Sequence, residues 1–154
     1  MNLLIVDDEY LVVEEVVTVT DWELLGITEI YSATNAVSAV RILNEKKIDI
    51  MICDIEMPQT DGLELSKKAK ENFPDLEIVM LTSHAEFNYV RNALRYGCYD
   101  YLLKPVMEDD IIKVMKNLVT KIERERHQAQ LQEEGIVWNQ LKPVWKEKYW
   151  EEML

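Results

Sequence analysis

Five short runs rich in Ile, Val, Leu and Tyr punctuate the first two thirds of the chain: Asn2–Val6, Thr28–Ser32, Ile48–Cys53, Leu76–Leu81 and Cys98–Leu103. Between them lie stretches with apolar residues three and four apart, at Leu11–Val19, Ala36–Leu43, Leu63–Ala69 and Phe87–Leu94. Period two or continuous apolarity marks strands, and the three-four spacing marks helices. Gly26, Gly62 and Gly97 fall at joints, and Asn35 is placed to cap the second helix. Strict alternation of strand and helix predicts a doubly wound α/β domain with a five-stranded parallel sheet. Runs 1, 3 and 4 are apolar almost throughout, as strands covered on both faces tend to be. In such sheets the ligand site lies beyond the carboxyl ends of the strands, where the strand order switches.

Composition narrows the function. The 154 residues are 48% hydrophobic and 30% charged, the balance of a globular protein. The only N-terminal apolar run, LLIV, stops at Asp7 and lacks the length and basic flank of a signal peptide, so the expected location is the cytoplasm, away from any membrane. Cys53 and Cys98 sit in apolar segments without metal-ligand spacing and read as reduced core residues. A formal net charge of −12 makes sequence-independent binding to nucleic acid repulsive, so DNA is expected only through a separate output domain.

The strand ends carry the chemistry. Val6 is followed by Asp7, Asp8 and Glu9; the third run ends in Asp54; the fourth ends in Thr82 and Ser83; the fifth ends in Lys104 and Pro105. Singly, each has an ordinary explanation: Asp7 or Asp8 as a cap of the first helix, Thr82 and Ser83 as caps of the fourth, Lys104 as a solvated loop charge. Jointly they place three carboxylates at one sheet edge, where each like-charge pair at contact costs about 4 kcal/mol at moderate dielectric. A divalent cation resolves that repulsion. Oxygen ligands without His or Cys favour Mg²⁺, Mn²⁺ or Ca²⁺, and a site that keeps waters and accepts phosphate suits Mg²⁺ best. A carboxylate can attack phosphorus to give an aspartyl phosphate, which makes Asp54 a candidate nucleophile. Lys104 can neutralise a phosphoryl oxygen, and the Thr82 hydroxyl can hydrogen-bond another.

The set Asp7-Asp8, Asp54 within DIEMPQTDG, Thr82-Ser83 and Lys104-Pro105 resembles the receiver domain of two-component response regulators, the CheY-like family, over roughly residues 2–120. The resemblance implies the flavodoxin-like strand order 2-1-3-4-5 and a receiver domain at 1–121, followed by a helical extension at 122–154. It also implies that Asp54 is the phosphoacceptor, served by a sensor histidine kinase, and that Asp7, Asp8, Asp54 and the backbone carbonyl of Glu56 hold Mg²⁺. Thr82 and Tyr101 become the switch pair, Lys104 the phosphate-contacting lysine, and the Lys104–Pro105 peptide cis. A kinase is expected to dock on the first helix, at Leu11, Val12 and Val16. The residues two beyond the acceptor and two beyond the switch hydroxyl, Glu56 and His84, are expected to set phosphoryl lifetime.

The segments DWELLGI and HAEFNYVRNALRYGCYDYLLKPV are similar to receivers of the YesN-like branch, whose members usually carry an AraC-type helix-turn-helix domain. The expectation is therefore a fragment of a longer transcriptional regulator. From Glu108 the series Ile111, Met115, Leu118, Ile122 predicts a helix of about 27 residues, with Glu125 and Gln132 weakening its apolar seam as a coiled coil. A homodimer through this helix is one expected partner. After Gly135, Trp138, Leu141, Trp145 and Tyr149 form an aromatic series that Pro143 interrupts, placed to dock on the receiver or on an absent domain. Two other functions fit the same site: a receiver-like scaffold that takes no phosphate, and a Mg²⁺-dependent phosphohydrolase. The phosphohydrolase would want a second Asp where Glu56 stands.

Overall fold

The computed structural model describes residues 1–57, 61–83 and 87–140, the side chains of 87–90 and 135–140 excepted. The elements follow in the order β1 (Asn2–Val6), α1 (Tyr10–Thr18), β2 (Glu29–Ala33), α2 (Ala36–Glu45), β3 (Ile50–Asp54), α3 (Gly62–Asn72), β4 (Glu77–Thr82), α4 (Phe87–Arg95), β5 (Asp100–Leu103) and α5 (Glu108–Gln140). All five strands are parallel in one sheet of order β2-β1-β3-β4-β5.

The topology follows from handedness. The chain moves one way from β1 to β2 and the other way from β2 through β5, so right-handed crossovers put α1 on the face opposite α2, α3 and α4. Burial agrees with the pleat. On one face Leu4, Val6, Met51, Cys53, Ile78 and Met80 pack with Ala39 and Leu43 of α2, Leu65 and Ala69 of α3 and Ala93 of α4. The alternate residues Leu3, Ile5, Ile50, Ile52, Val79 and Leu81, also fully buried, turn to the other face. Val13 and Val16 of α1 and Ile111, Met115 and Leu118 of α5 are buried as well.

Strand edges differ from the sequence reading by one or two residues. The runs Thr28–Ser32, Ile48–Cys53 and Leu76–Leu81 begin early because apolarity does not report where ladder bonding starts. Thr28 N–H bonds Met1, and Ile48 and Leu76 precede the first paired residues, Ile50 and Glu77. A 3₁₀ turn at Trp22–Leu25, absent from the periodicity reading, closes on Gly26 at φ 89°. The Trp22 indole N–H donates to the Val16 carbonyl at 3.0 Å. Asn35 caps α2 by accepting from the Ser38 N–H at 2.8 Å.

By compactness the chain divides into residues 1–118 and 119–154. In the second unit the described residues continue α5, and 123–134 are exposed throughout. The helix runs 33 residues and passes through Gly135, longer than the roughly 27 residues expected from the sequence. One internal glycine costs a helix only about 1 kcal/mol relative to alanine, too little to end it. Leu141, Pro143, Trp145 and Tyr149 lie outside the described residues, as do the side chains of Trp138 and its neighbours.

Candidate functional site

The strand order puts β1, β3, β4 and β5 side by side, so their carboxyl ends form one edge, with the switch in order between β1 and β3. Asp7 extends β1 by one ladder bond, its N–H donating to Ala33 at 3.1 Å, and is fully buried. Asp54 is the last residue of β3 and Thr82 the last of β4, both buried. Lys104 follows β5, its N–H donating to the Thr82 carbonyl at 2.9 Å, and its peptide bond to Pro105 is cis.

Neither Asp7 nor Asp8 caps α1. The N-cap is Glu9, which makes no side-chain cap, and Asp7 Oδ1 instead accepts from the Glu9 N–H at 2.9 Å within the loop. That bond holds the Asp7 carboxylate at the sheet edge. Carboxylate oxygens of Asp7, Asp8 and Asp54 lie within 4.8 Å of one another, and Asp8 is the exposed member.

Lys104 Nζ lies 2.8 Å from Asp7 Oδ2 and 3.3 Å from Asp54 Oδ1. Asp7 Oδ2 is buried, and its contact with the ammonium is a charge-assisted pair. Asp54 Oδ1 also accepts from the Glu56 N–H at 3.2 Å. Burial and then the Asp7 carboxylate push the Asp54 carboxyl up to about 6, against the opposing pull of Lys104 and the Glu56 N–H. For Lys104, burial works against the ammonium, but Asp7 and Asp54 outweigh it and hold the group above its ordinary range. One ammonium among three carboxylates leaves excess negative charge at the cluster. Hard oxygen donors in that arrangement fit a small divalent cation.

The described residues that follow Asp54 are tied to β4 and to the start of α3. Ile55 N–H donates to Leu81 at 2.9 Å, Gly62 N–H donates to Ile55 at 3.0 Å, and Glu56 bridges Asp61 in antiparallel fashion. Asp61 caps α3 by accepting from the Leu63 N–H at 2.9 Å. In the sequence Gly62 marks a joint between elements. The signal available was the Asp-Gly pair directly before a helix, with the aspartate at the N-cap.

Tyr101 is half-buried against the core cluster that includes Met80 and Cys98. The Glu56 side chain is exposed, and His84 lies outside the described residues. Tyr10 and Leu11, at the start of α1 beside Asp8, are 61% and 71% exposed, whereas Val16 is buried in the core and Val12 only partly exposed.

Residues 3–116 match the response regulator receiver domain. The chain belongs to this family. The receiver is 34% identical over 124 residues to the transcriptional regulatory protein YesN of Bacillus subtilis, covering 80% of this chain and 34% of YesN. It is 32% identical over 127 residues to the response regulator SaeR of Staphylococcus aureus, covering 82% of this chain and 54% of SaeR. It therefore spans between a third and somewhat over half of these relatives. Among solved structures, the REC domain of AraT from Geobacillus stearothermophilus superimposes with TM-score 0.75 at 30% identity, covering 81% of this chain and 97% of that one. NtrX from Brucella abortus superimposes with TM-score 0.76 at 28% identity, covering 84% of this receiver and 29% of that chain. Among the described residues, no helix is long and apolar enough to cross a membrane.

Proposed function

We propose that this receiver accepts a phosphoryl group on Asp54 from a phosphohistidine of a sensor histidine kinase, in a Mg²⁺-dependent reaction, and thereby controls a transcriptional output. The observation that carries this reading is the placement of Asp54: a buried carboxylate at a strand end, within 4.8 Å of two other acids and 3.3 Å from a lysine. Asp7, Asp8, Asp54 and the Glu56 carbonyl would hold the metal. When bound, Mg²⁺ supplies charge neutralisation among the carboxylates and on the phosphoryl oxygens.

An oxygen of Asp54 attacks phosphorus while the bond from phosphorus to the kinase imidazole nitrogen breaks. The electron pair of that bond stays on the imidazole, which leaves as the neutral ring because its other nitrogen already carries a proton. The described partners of the Asp54 carboxylate, Lys104 and the Glu56 N–H, both hold Oδ1, so Oδ2 is the attacking oxygen. Lys104 then meets a phosphoryl oxygen, since such chemistry depends mainly on position and charge. The Thr82 hydroxyl turns toward the phosphoryl group, and Tyr101 repacks behind it. The altered surface of β5 and its flanking helices acts on an output domain or a second copy of the chain, because a switch needs a partner that distinguishes its two states. Glu56 and His84 set phosphoryl lifetime. Transcriptional output is supported by the similarity to YesN, a transcriptional regulatory protein, and to the DNA-binding transcriptional regulator NtrC, and a cytoplasmic location goes with the kinase partner.

Intact-protein mass after incubation with a small-molecule phosphodonor, with and without Mg²⁺, tests the reading. A single phosphoryl adduct that requires Mg²⁺ and is absent in Asp54→Asn is expected. A folded protein that gains no adduct would make the domain a scaffold. Steady turnover of a phosphomonoester would make it a phosphohydrolase.

A further inference from the structure

The glycine that opens α3 meets the nucleophile's own peptide. A Cβ built at Gly62 would stand 2.9 Å from the Asp54 carbonyl carbon and 2.9 Å from the Ile55 Cα, and would overlap the Asp54 carbonyl oxygen. The described glycines with positive φ are Gly26 and Gly97, so position 62 demands space rather than an unusual backbone conformation. The contact is with backbone, which no side-chain rotation relieves. The same residue donates its N–H to the Ile55 carbonyl at 3.0 Å, next to the Glu56–Asp61 bridge. The helix start and the strand end are thus pressed together at one peptide. That peptide leads into Ile55 and Glu56, whose N–H holds Asp54 Oδ1 at 3.2 Å.

We propose that Gly62 is a positioning residue of the acidic site: the absence of a side chain there lets α3 seat against the Asp54–Ile55 peptide and fixes both the Asp54 carboxylate and the Glu56 carbonyl. The inference rests on the reading of Asp7, Asp8, Asp54 and Glu56 as a divalent-cation site. Any larger residue at 62 pushes the peptide outward and turns the carboxylate away from Asp7 and Asp8. Loss of an outer partner that orients a metal ligand typically weakens affinity by about 10- to 100-fold, and misplacing a reacting group by about 1 Å costs about 100-fold in rate.

The test compares wild type, Gly62→Ala and Ala69→Gly, the last a control that weakens α3 at a buried position away from the site. Mn²⁺ titration, followed by the paramagnetic resonance of the free ion, reads affinity without any phosphodonor. Thermal melting reads stability. Gly62→Ala should lose about tenfold or more in Mn²⁺ affinity, whereas Ala69→Gly should melt lower with affinity unchanged. Equal Mn²⁺ affinity in Gly62→Ala and wild type overturns the proposal. Equal losses in both variants also overturn it, since they would track stability alone.

Should Gly62→Ala not fold, amide exchange of the wild-type protein decides the matter. Coupling between sites is reciprocal, so Mg²⁺ should slow exchange at Gly62 N–H more than at Phe73 N–H, which bonds Ala69 at the far end of the same helix. Equal response at the two amides overturns the proposal. Failure of the wild type itself to bind Mn²⁺ would instead refute the cation-site reading beneath it.

Discussion

Lys104 Nζ lies closer to Asp7, at 2.8 Å, than to the proposed phosphoacceptor Asp54, at 3.3 Å. The ammonium therefore serves first as counterion to the most deeply buried acid of the site, and Asp54 shares it. A lysine bound in this way stabilises the domain before it meets any phosphoryl group.

Replacing Lys104 with Met leaves the Asp7 charge buried without its cation. Breaking one side of a buried pair usually costs about 3–5 kcal/mol, and the partial exposure of Lys104 brings the expected loss to about 2–4 kcal/mol. Urea unfolding in the presence of a chelator should show this loss, and added Mg²⁺ should restore part of it. An unchanged midpoint would mean that Lys104 is not the structural counterion of Asp7.

The Asp54 carboxyl sits at about 6 in the folded state, above its ordinary 3.8. Between those values the folded protein binds more protons than the unfolded chain, so stability falls as pH rises through the window and does not return above it. With metal removed, wild type should be less stable at pH 7 than at pH 5. Asp54→Asn should lack this slope and be more stable at pH 7 by about 1–2 kcal/mol, less than the full linkage value because the Asp8 edge is open to water. Urea midpoints across pH 4 to 8 check it, and parallel profiles for the two proteins would contradict it.

Burial raises both thiols, Cys98 to about 11 and Cys53 further still. At pH 8 neither is a thiolate in the folded protein, so neither should react with a disulfide reagent. Both should react promptly after unfolding in urea. A thiol titrating in the native state would place a cysteine nearer the surface than the fold does.

Trp22 is buried and donates its indole N–H to the Val16 carbonyl. Trp22→Phe keeps an aromatic ring but strands that carbonyl and leaves a smaller side chain. The expected cost is about 1–3 kcal/mol with phosphorylation of Asp54 unaffected, readable by thermal melting beside the phosphoryl adduct. A variant that melts normally would show the indole bond to be dispensable.

The sequence carried the alternation of elements and the residues at the strand ends, because apolar period and polar strand termini are local properties. Asp7, Asp54, Thr82 and Lys104 could be brought to one edge from their positions in that alternation alone. Gly62 shows locally only as the residue after the Asp61 cap: its role depends on the approach of α3 to a particular carbonyl, a relation between segments that the Asp-Gly pair does not record. The 3₁₀ turn at Trp22 escaped for a similar reason, since a four-residue element shows too few positions for periodicity. The first helix illustrates the converse, where an acid before a helix suggested a cap and tertiary pairing with Lys104 claimed the carboxylate instead. The long final helix was visible in Ile111, Met115, Leu118 and Ile122, but its continuation past Gly135 rests on backbone energetics that outweigh a single poor helix former.

Of the three clustered acids only Asp8 faces solvent. Under the proposed chemistry that side is a shared doorway, through which both an incoming donor and a hydrolytic water must pass. Admission and erasure of the signal are then coupled by architecture. Any substitution that narrows the aperture at Asp8 should lengthen the memory of a stimulus while slowing its acquisition.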